Sequence, residues 1–219
     1  MKKIFIFLIC CLLICGCSNK KEDQNKEEKK EQEFILEKID NKQDYIYLQP
    51  YHNLIVNGDE YVLNYLIVNI KSDDVQNVNL ELRSFVTKSY QNMIIENNEL
   101  KQGNVVDYKY YKTDEYISIL QLYYPYINGV YGEESSNIYV ISLKSGEVLS
   151  NEEILNNFNI SEDELFDKIE ENIDSEDVLY SMMNIKEEGY SLYVNNDNKL
   201  VVSYYEVNDE NSVRKELVL

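Results

Sequence analysis

The reactive side chains of this sequence are concentrated near its start. Cys10, Cys11, Cys15 and Cys17 are the only cysteines among the 219 residues, and His52 is the only histidine. Zinc sites made from cysteine and histidine, and catalytic sets built around histidine, would all depend on that one imidazole. The sequence contains no glycine-rich phosphate loop and no G-x-S-x-G nucleophile motif. We therefore predict no metal and no cofactor, and no catalytic residue can be named.

The segment around the cysteines has the layout of an export signal. Two lysines follow the first residue, and the apolar run Ile4–Ile14 is shorter than the about 20 residues that a membrane-spanning helix requires. The motif that ends this run, Ile14-Cys15-Gly16-Cys17, resembles a bacterial lipobox, whose last cysteine is acylated and becomes the mature N-terminus. We therefore expect residues 1–16 to be a lipoprotein signal peptide, and Cys17 to be the lipid anchor that holds the chain on the extracytoplasmic face of the cell membrane.

The rest of the chain divides into a tether and one acidic domain. Residues 17–33 comprise the lipidated cysteine and a disordered tether, because positions 18–33 contain no apolar residue whose burial could offset the entropy of ordering. Residues 34–219 are enough for a single α+β extracytoplasmic domain. Without the first two lysines and positions 18–33, 14 of the 21 basic and 34 of the 40 acidic residues remain, a net charge of −20. Nucleic acid is thereby excluded as a partner, because binding it depends on lysine and arginine.

Helix signals occur in two parts of the domain. Ser72 is expected to be the N-cap of the longest helix, whose apolar positions from Val75 to Met93 recur at helical spacing. Two short helices are predicted by capping boxes, in which a serine hydroxyl and a glutamate three residues later satisfy free backbone groups. These pairs are Ser150 with Glu153 and Ser161 with Glu164. The segment 174–183 is a candidate for a third short helix.

Strand-like segments fill most of the remaining sequence. His52 is expected in the first strand of a hairpin closed by Asn57-Gly58. Runs rich in tyrosine and β-branched residues follow, and such residues favour strands. The predicted strands after the first hairpin are 105–112, 116–124, 137–143, 190–194, 200–207 and 213–219. The pattern predicts an α+β fold with a mainly antiparallel sheet, on which one long helix and two or three short helices pack.

One stretch, residues 123–134, combines features of a binding loop. It contains four tyrosines, a proline and two glycines, and it ends in two glutamates. Rigid aromatic side chains in a loop can provide contact surface for a partner. The predicted binding residues are Tyr123, Tyr124, Tyr126, Tyr131, Glu133 and Glu134. The alternative is a hairpin connection whose tyrosines pack on their own sheet.

The order of elements resembles a known family of extracytoplasmic domains. The matching pieces are 69–79, which opens the long helix, 116–119 in a central strand, and 139–149 before the capped helices. Over residues 45–219 the chain resembles the extracytoplasmic domain of lysozyme-sensing anti-sigma factors and the non-catalytic domain of some peptidoglycan deacetylases. The resemblance implies an α+β domain at the cell surface, and in the anti-sigma members it implies binding of a basic wall-degrading enzyme. The sequence contains no deacetylase domain and no sigma-binding region, so no catalytic residue of the family can be assigned to this chain.

Three functions are compatible with these features. The leading hypothesis is a non-enzymatic surface lipoprotein that binds a basic, lysozyme-like protein or peptidoglycan. The alternative is a carboxylate-dependent hydrolase of cell-wall glycan, since such enzymes need only two acids and a buried pair in a cleft would favour one. A third hypothesis is a lipoprotein that assists the folding or assembly of other envelope proteins.

Overall fold

The computed structural model describes residues 34–56, 58–174, 178–208 and 211–219, in which runs of strands are separated by one helix and then by three consecutive helices. The strands are β1 (Ile46–Val56), β2 (Asp59–Val68), β3 (Ile94–Glu96), β4 (Glu99–Lys112), β5 (Tyr116–Ile127), β6 (Val130–Tyr131), β7 (Ser135–Ser142), β8 (Ser191–Val194), β9 (Leu200–Asn208) and β10 (Asn211–Val218). The helices are α1 (Asp73–Gln91), α2 (Asn151–Phe158), α3 (Glu162–Glu170) and α4 (Val178–Glu188). The predicted signal peptide, Cys17 and the tether lie outside the described residues.

The α+β fold predicted from the sequence is confirmed, and the strands form three sheets in the described residues. The central sheet has the order β3-β4-β5-β6, and β7 also pairs with β5. A second sheet has the order β10-β9-β8, and β1 pairs with β2 in a separate hairpin. Every pairing between these strands is antiparallel. The helices α1 to α4 have 19, 8, 9 and 11 residues respectively.

The strand β5 lies at the centre of the molecule. Every residue from Tyr116 to Leu122 is buried, which explains why this segment is a continuous run of mostly apolar residues. On one face, Ile117 and Ile119 pack with α1 and β2 in one core cluster. On the other face, Leu120 and Leu122 pack with the second sheet and with helices α2 to α4 in a second cluster. The central sheet is therefore covered on both sides.

Several local sequence signals are realised as predicted. Both capping boxes form, at Ser150 for α2 and at Ser161 for α3. The β1–β2 hairpin pairs Val56 with Asp59 across a two-residue connection, and Gly58 has the positive φ of +88° that glycine adopts without strain. His52 is a strand residue of β1, as predicted.

The predicted position of the N-cap of α1 is correct, whereas the bounds predicted for the last helix are wrong. Ser72 occupies the N-cap position of α1, but its side chain does not cap the helix. Its hydroxyl instead donates a hydrogen bond of 2.5 Å to the carbonyl oxygen of Gly146, a tertiary contact that no local pattern reveals. The last helix is α4, which extends to Glu188, and Asp174 is not part of it. None of the described helices has the length and apolar character that crossing a membrane requires.

Candidate functional site

The six residues predicted to form one binding loop lie in three different environments. Residues 123–127 belong to β5, a turn follows at Asn128 and Gly129, and β6 occupies residues 130–131. The predicted long loop is therefore a tight hairpin, which we call the tyrosine hairpin (residues 123–131). A hairpin forms because Asn128 and Gly129 both adopt positive φ, of 49° and 93°, as a tight two-residue turn requires.

Tyr124 and Glu134 face inward. The Tyr124 hydroxyl donates a hydrogen bond to the Glu134 carboxylate, which also pairs with the guanidinium of Arg214. Arg214 in turn donates to Ser203 Oγ at 2.8 Å and to Glu216 Oε1 at 2.6 Å, and its side chain is only 8% exposed. These two predicted binding residues therefore connect the central sheet to β9 and β10.

The electrostatics of this network follow from its contacts. The hydrogen bond to the Glu134 carboxylate, together with burial, raises the pKa of Tyr124 to about 12. Burial alone would raise the pKa of Glu134, but hydrogen bonds from Tyr124 and Arg214 outweigh it and hold that pKa below its usual range. At neutral pH the network therefore contains a neutral phenol, a carboxylate and a guanidinium.

The remaining predicted residues divide between the α1 face and the end of the hairpin. The Tyr123 ring packs on Phe85 of α1, with centroids 4.8 Å apart. Tyr126 and Tyr131 contact each other edge to face across β5 and β6, at 5.1 Å. Glu133 is exposed. Only Tyr126 and Tyr131 of the six line a large concavity, which we call the tip groove.

The tip groove lies where three hairpins end side by side. It has a volume of about 610 Å³ and is lined by residues next to the β1–β2, β3–β4 and β5–β6 connections. Most of its lining is apolar or aromatic. The lining includes Leu54, Val56, Tyr61, Val62, Leu63, Met93, Leu100, Val105, Val106, Tyr126 and Tyr131.

The β3–β4 connection was missed by sequence reasoning, although a signal for it is present. Asn97 and Asn98 both adopt positive φ, of 52° and 62°, in a two-residue connection between Glu96 and Glu99. Asparagine tolerates this conformation better than most residues, so the Asn-Asn pair between apolar runs indicates a hairpin. A backbone hydrogen bond of 2.7 Å from Asn128 to Lys101 then ties the tyrosine hairpin to β4 beside the groove.

The surroundings of the groove are apolar and acidic. Large apolar side chains are exposed on all three hairpins: Ile55, Tyr61, Val62, Ile94, Ile127, Val130 and Tyr131. Lys101 is the only basic residue in the lining, and it pairs with the Glu99 carboxylate. That hydrogen bond, with the nearby charge of Glu96, raises the pKa of Lys101. Asp59 and Glu60 are exposed on the neighbouring hairpin.

The acids of the described residues give no buried carboxylate pair. Glu206 is the only fully buried acid among them, and its carboxylate accepts a hydrogen bond of 3.3 Å from the backbone N–H of Asp174. Its nearest cation is Lys215, at 3.9 Å. Within the described part of the chain, no three histidine, cysteine, aspartate or glutamate side chains are grouped so that they could hold a metal ion.

Comparison with known proteins adds no relative. No protein-family model matches the sequence, and no curated protein matches it. The function must therefore be argued from the geometry described above.

Proposed function

We propose that this chain is a non-enzymatic surface lipoprotein, anchored at Cys17 on the extracytoplasmic face of the cell membrane, which binds a basic protein in the tip groove. The observation that carries the proposal is the groove itself, where exposed apolar and tyrosine side chains of three hairpins surround a concavity of about 610 Å³. Exposed apolar surface concentrated in one place is a common property of protein-binding sites.

The lining residues suit the centre of a protein interface. Tyr61 and Tyr131 are 50% and 62% exposed, and each combines a rigid ring with a hydroxyl that can form hydrogen bonds. Buried tyrosines often contribute most of the affinity at such interfaces, because they cover a large area with few rotatable bonds. A partner that inserts an apolar side chain between them would remove this surface from water.

The charge of the domain determines the type of partner. Its net charge is −20, and Asp59, Glu60, Glu96 and Glu133 lie exposed on or next to the three hairpins. An acidic surface accelerates encounter with a basic protein and repels an acidic one. A lysozyme-like partner, which the family resemblance implies, is basic and therefore complements this acidic surface.

The helix α1 runs between the first described residues and the groove. The described chain begins at Phe34, whose ring lies against Gly146 near the first turn of α1. Met93, which lines the groove, follows the other end of the helix. The 19 residues of α1 correspond to roughly 28 Å at 1.5 Å per residue, so Phe34 and the groove lie near opposite ends of this helix.

The proposal is tested by measuring the binding of lysozyme to the purified chain immobilised in lipid nanodiscs. We expect saturable binding that weakens as salt is raised to physiological ionic strength, because screening reduces the attraction between the two proteins. Tyr131→Ala should weaken binding about tenfold or more, which corresponds to roughly 1.4 kcal/mol. The matched control is Tyr110→Ala, since Tyr110 is 52% exposed on β4 but lies outside the groove lining.

Equal binding by Tyr131→Ala and Tyr110→Ala would contradict the location of the site. Failure of the unmodified chain to retain lysozyme or any other basic surface protein would contradict the proposed class of partner. Release of sugar fragments from added peptidoglycan would favour the hydrolase over a binding protein.

A further inference from the structure

A second concavity lies among the helices and shares no lining residue with the tip groove. It has a volume of about 560 Å³ and is formed by α2, the start of α3 and the junction of α4 with β8. We call it the helical cleft. Its apolar floor contains the buried residues Leu155 and Ile185, and the half-buried rings of Phe166 and Tyr190 meet there edge to face at 5.7 Å.

The aromatic floor is held in place by contacts with each element around it. Gly189 follows α4 with a φ of +92°, a conformation that suits glycine, and turns the chain into Tyr190. The Tyr190 hydroxyl donates a hydrogen bond of 2.9 Å to Glu162 at the start of α3. Asn151 of α2 donates one of 2.9 Å to the Tyr190 carbonyl oxygen. The ring of Tyr190 is thus a fixed surface.

The rim of the cleft is polar and carries both donors and acceptors. Glu152 and Glu162 supply carboxylate oxygens, and Asn156 supplies an amide, all three exposed. Lys186 completes the rim, with its ammonium 5.0 Å from the centre of the Phe166 ring. Burial and the Glu162 carboxylate raise the pKa of Tyr190 to about 12, so its hydroxyl remains a donor to Glu162 at neutral pH.

We propose that the helical cleft binds an uncharged glycan and covers two or three of its sugar rings. A pyranose ring has an apolar C–H face that can pack on an aromatic ring, and hydroxyl groups around its edge that both donate and accept hydrogen bonds. The floor and rim of the cleft match these two surfaces. Its volume also lies in the range of about 300–1,000 Å³ that is usual for small-ligand sites.

Other classes of ligand fit the cleft less well. A phosphorylated or carboxylated ligand would meet two carboxylates and one ammonium, within a domain of net charge −20. A purely apolar ligand would cover the rim and leave its polar groups without hydrogen bonds, which is unfavourable. An uncharged sugar avoids both penalties.

The experiment titrates the purified chain with the N-acetylglucosamine tetramer and follows binding by calorimetry and by amide NMR. We expect one saturable site, with shifted resonances confined to α2, α3, the end of α4 and the start of β8. Asn156→Ala should weaken binding at least fivefold, because the exposed amide can bind a sugar hydroxyl or acetyl group. The matched control is Asn157→Ala, which removes the neighbouring exposed amide that does not line the cleft and should bind normally.

A second variant keeps the test independent of folding defects. Tyr190→Phe retains the ring on the floor and removes only the hydroxyl that bonds to Glu162. Because this bond fixes both the ring and the Glu162 carboxylate of the rim, the variant should bind the tetramer more weakly while the protein stays folded. Absence of any heat or shift at about 10 mM tetramer would overturn the proposal. Equal binding by Asn156→Ala and Asn157→Ala would also overturn it.

The glycan site is separable from the tip groove. Tyr131→Ala should leave binding of the tetramer unchanged, because Tyr131 lies at the other concavity. A tetramer recovered in shorter pieces would support the glycan site and contradict the non-enzymatic function. Failure to bind the tetramer, with lysozyme binding intact, would overturn only the glycan site.

Discussion

Arg214 connects the tyrosine hairpin to the C-terminal sheet through a nearly buried guanidinium. Its partners are carboxylates on either side, Glu134 and Glu216, and the hydroxyl of Ser203. Removing one member of such a cluster leaves the others desolvated and incompletely paired, which costs more than an exposed ion pair contributes.

We predict that Arg214→Ala lowers the free energy of unfolding by roughly 2–3 kcal/mol. The value lies below that of a fully buried pair because the Glu134 side chain is 25% exposed. The control is Lys144→Ala, whose ion pair with Glu115 is 72% and 41% exposed and should contribute less than about 1 kcal/mol. Urea unfolding of both variants measures the difference. Equal losses would show that the cluster around Arg214 is no stronger than a surface pair.

The Tyr124 hydroxyl should ionise at a higher pH than a tyrosine with the ordinary pKa of 10. Its pKa is raised from 10 to about 12, because ionisation would place a phenolate against the Glu134 carboxylate. Because the pKa of Tyr124 is higher in the folded protein than in the unfolded chain, its contribution to stability is fully present below pH 10. That contribution is lost as the pH rises towards 12. Carbon-13 NMR of ζ-labelled tyrosine, assigned by comparison with Tyr124→Phe, follows the ionisation. In Glu134→Gln the pKa should move back towards 10, and an unchanged value would contradict the assigned cause.

At the scale of elements, the turn after β7 holds the first described residues of the domain in place. Gly146 has a φ of +71°, and a Cβ at this position would overlap the ring of Phe34. The carbonyl of Gly146 also accepts the hydrogen bond from Ser72 at the start of α1. One glycine therefore joins the turn, the helix and the segment that leads towards the predicted tether.

We predict that Gly146→Ala destabilises the domain and releases the segment that begins at Phe34. The backbone strain costs on the order of 1 kcal/mol, and displacement of the ring adds to it. Limited proteolysis should cut residues 34–44 faster in this variant, and mass spectrometry locates the cuts. Gly58→Ala is the control, since Gly58 also has a positive φ but no heavy atom lies within 4 Å of its added Cβ. Similar proteolysis of the two variants would contradict a specific role for the Phe34 contact.

Comparison of three serines explains how much of the fold the sequence could predict. Ser150 and Ser161 cap their helices through partners three residues away, so the sequence contains both halves of each interaction. Ser72 bonds to Gly146, 74 residues further along the chain. The sequence pattern located the start of α1 correctly but could not reveal that distant partner.

The candidate site was predictable only in part, for the same reason. The tyrosine content of residues 123–134 drew attention to the right region, and Tyr126 and Tyr131 do line the tip groove. Tyr123 packs on Phe85 of α1, and Glu134, which accepts the hydrogen bond from Tyr124, is itself paired with Arg214 of β10. Phe85 and Arg214 are distant in sequence from the predicted stretch, and these contacts turn the two tyrosine side chains away from the groove. The groove also needs the β1–β2 and β3–β4 hairpins, whose proximity to the tyrosine hairpin is a product of tertiary packing.

At the scale of the whole molecule, the tip groove and the helical cleft differ in chemistry. The tip groove is surrounded by exposed apolar side chains on three hairpins, whereas the helical cleft has an aromatic floor and a polar rim. Their linings share no residue, and the buried floor of the helical cleft, Leu155 and Ile185, belongs to the core cluster that the second sheet forms with helices α2 to α4. Occupation of one should therefore leave the local structure of the other intact, so the proposed protein and the proposed glycan should be able to bind at the same time.

The net charge of −20 on the domain opposes its compact state, because folding brings like charges closer together. We predict that raising sodium chloride from about 20 mM to about 200 mM increases the midpoint of thermal unfolding by a few degrees, since the Debye length falls below the spacing of many surface carboxylates. Circular dichroism measures the midpoint. The same salt change should weaken binding of a basic partner, because that interaction is an attraction rather than a repulsion.

Removing like charges locally should reduce this salt effect. Glu187 and Glu188 are exposed at the C-terminal end of α4, where the helix dipole also disfavours negative charge. The double variant Glu187→Gln and Glu188→Gln should be more stable than the unmodified chain at low salt and should gain less from added salt. A midpoint of thermal unfolding that falls as salt is added to the unmodified chain would contradict this prediction. It would mean that attractive ion pairs such as Arg214–Glu134 outweigh the net repulsion. The arrangement of charges would then stabilise the fold as well as attract the proposed basic partner.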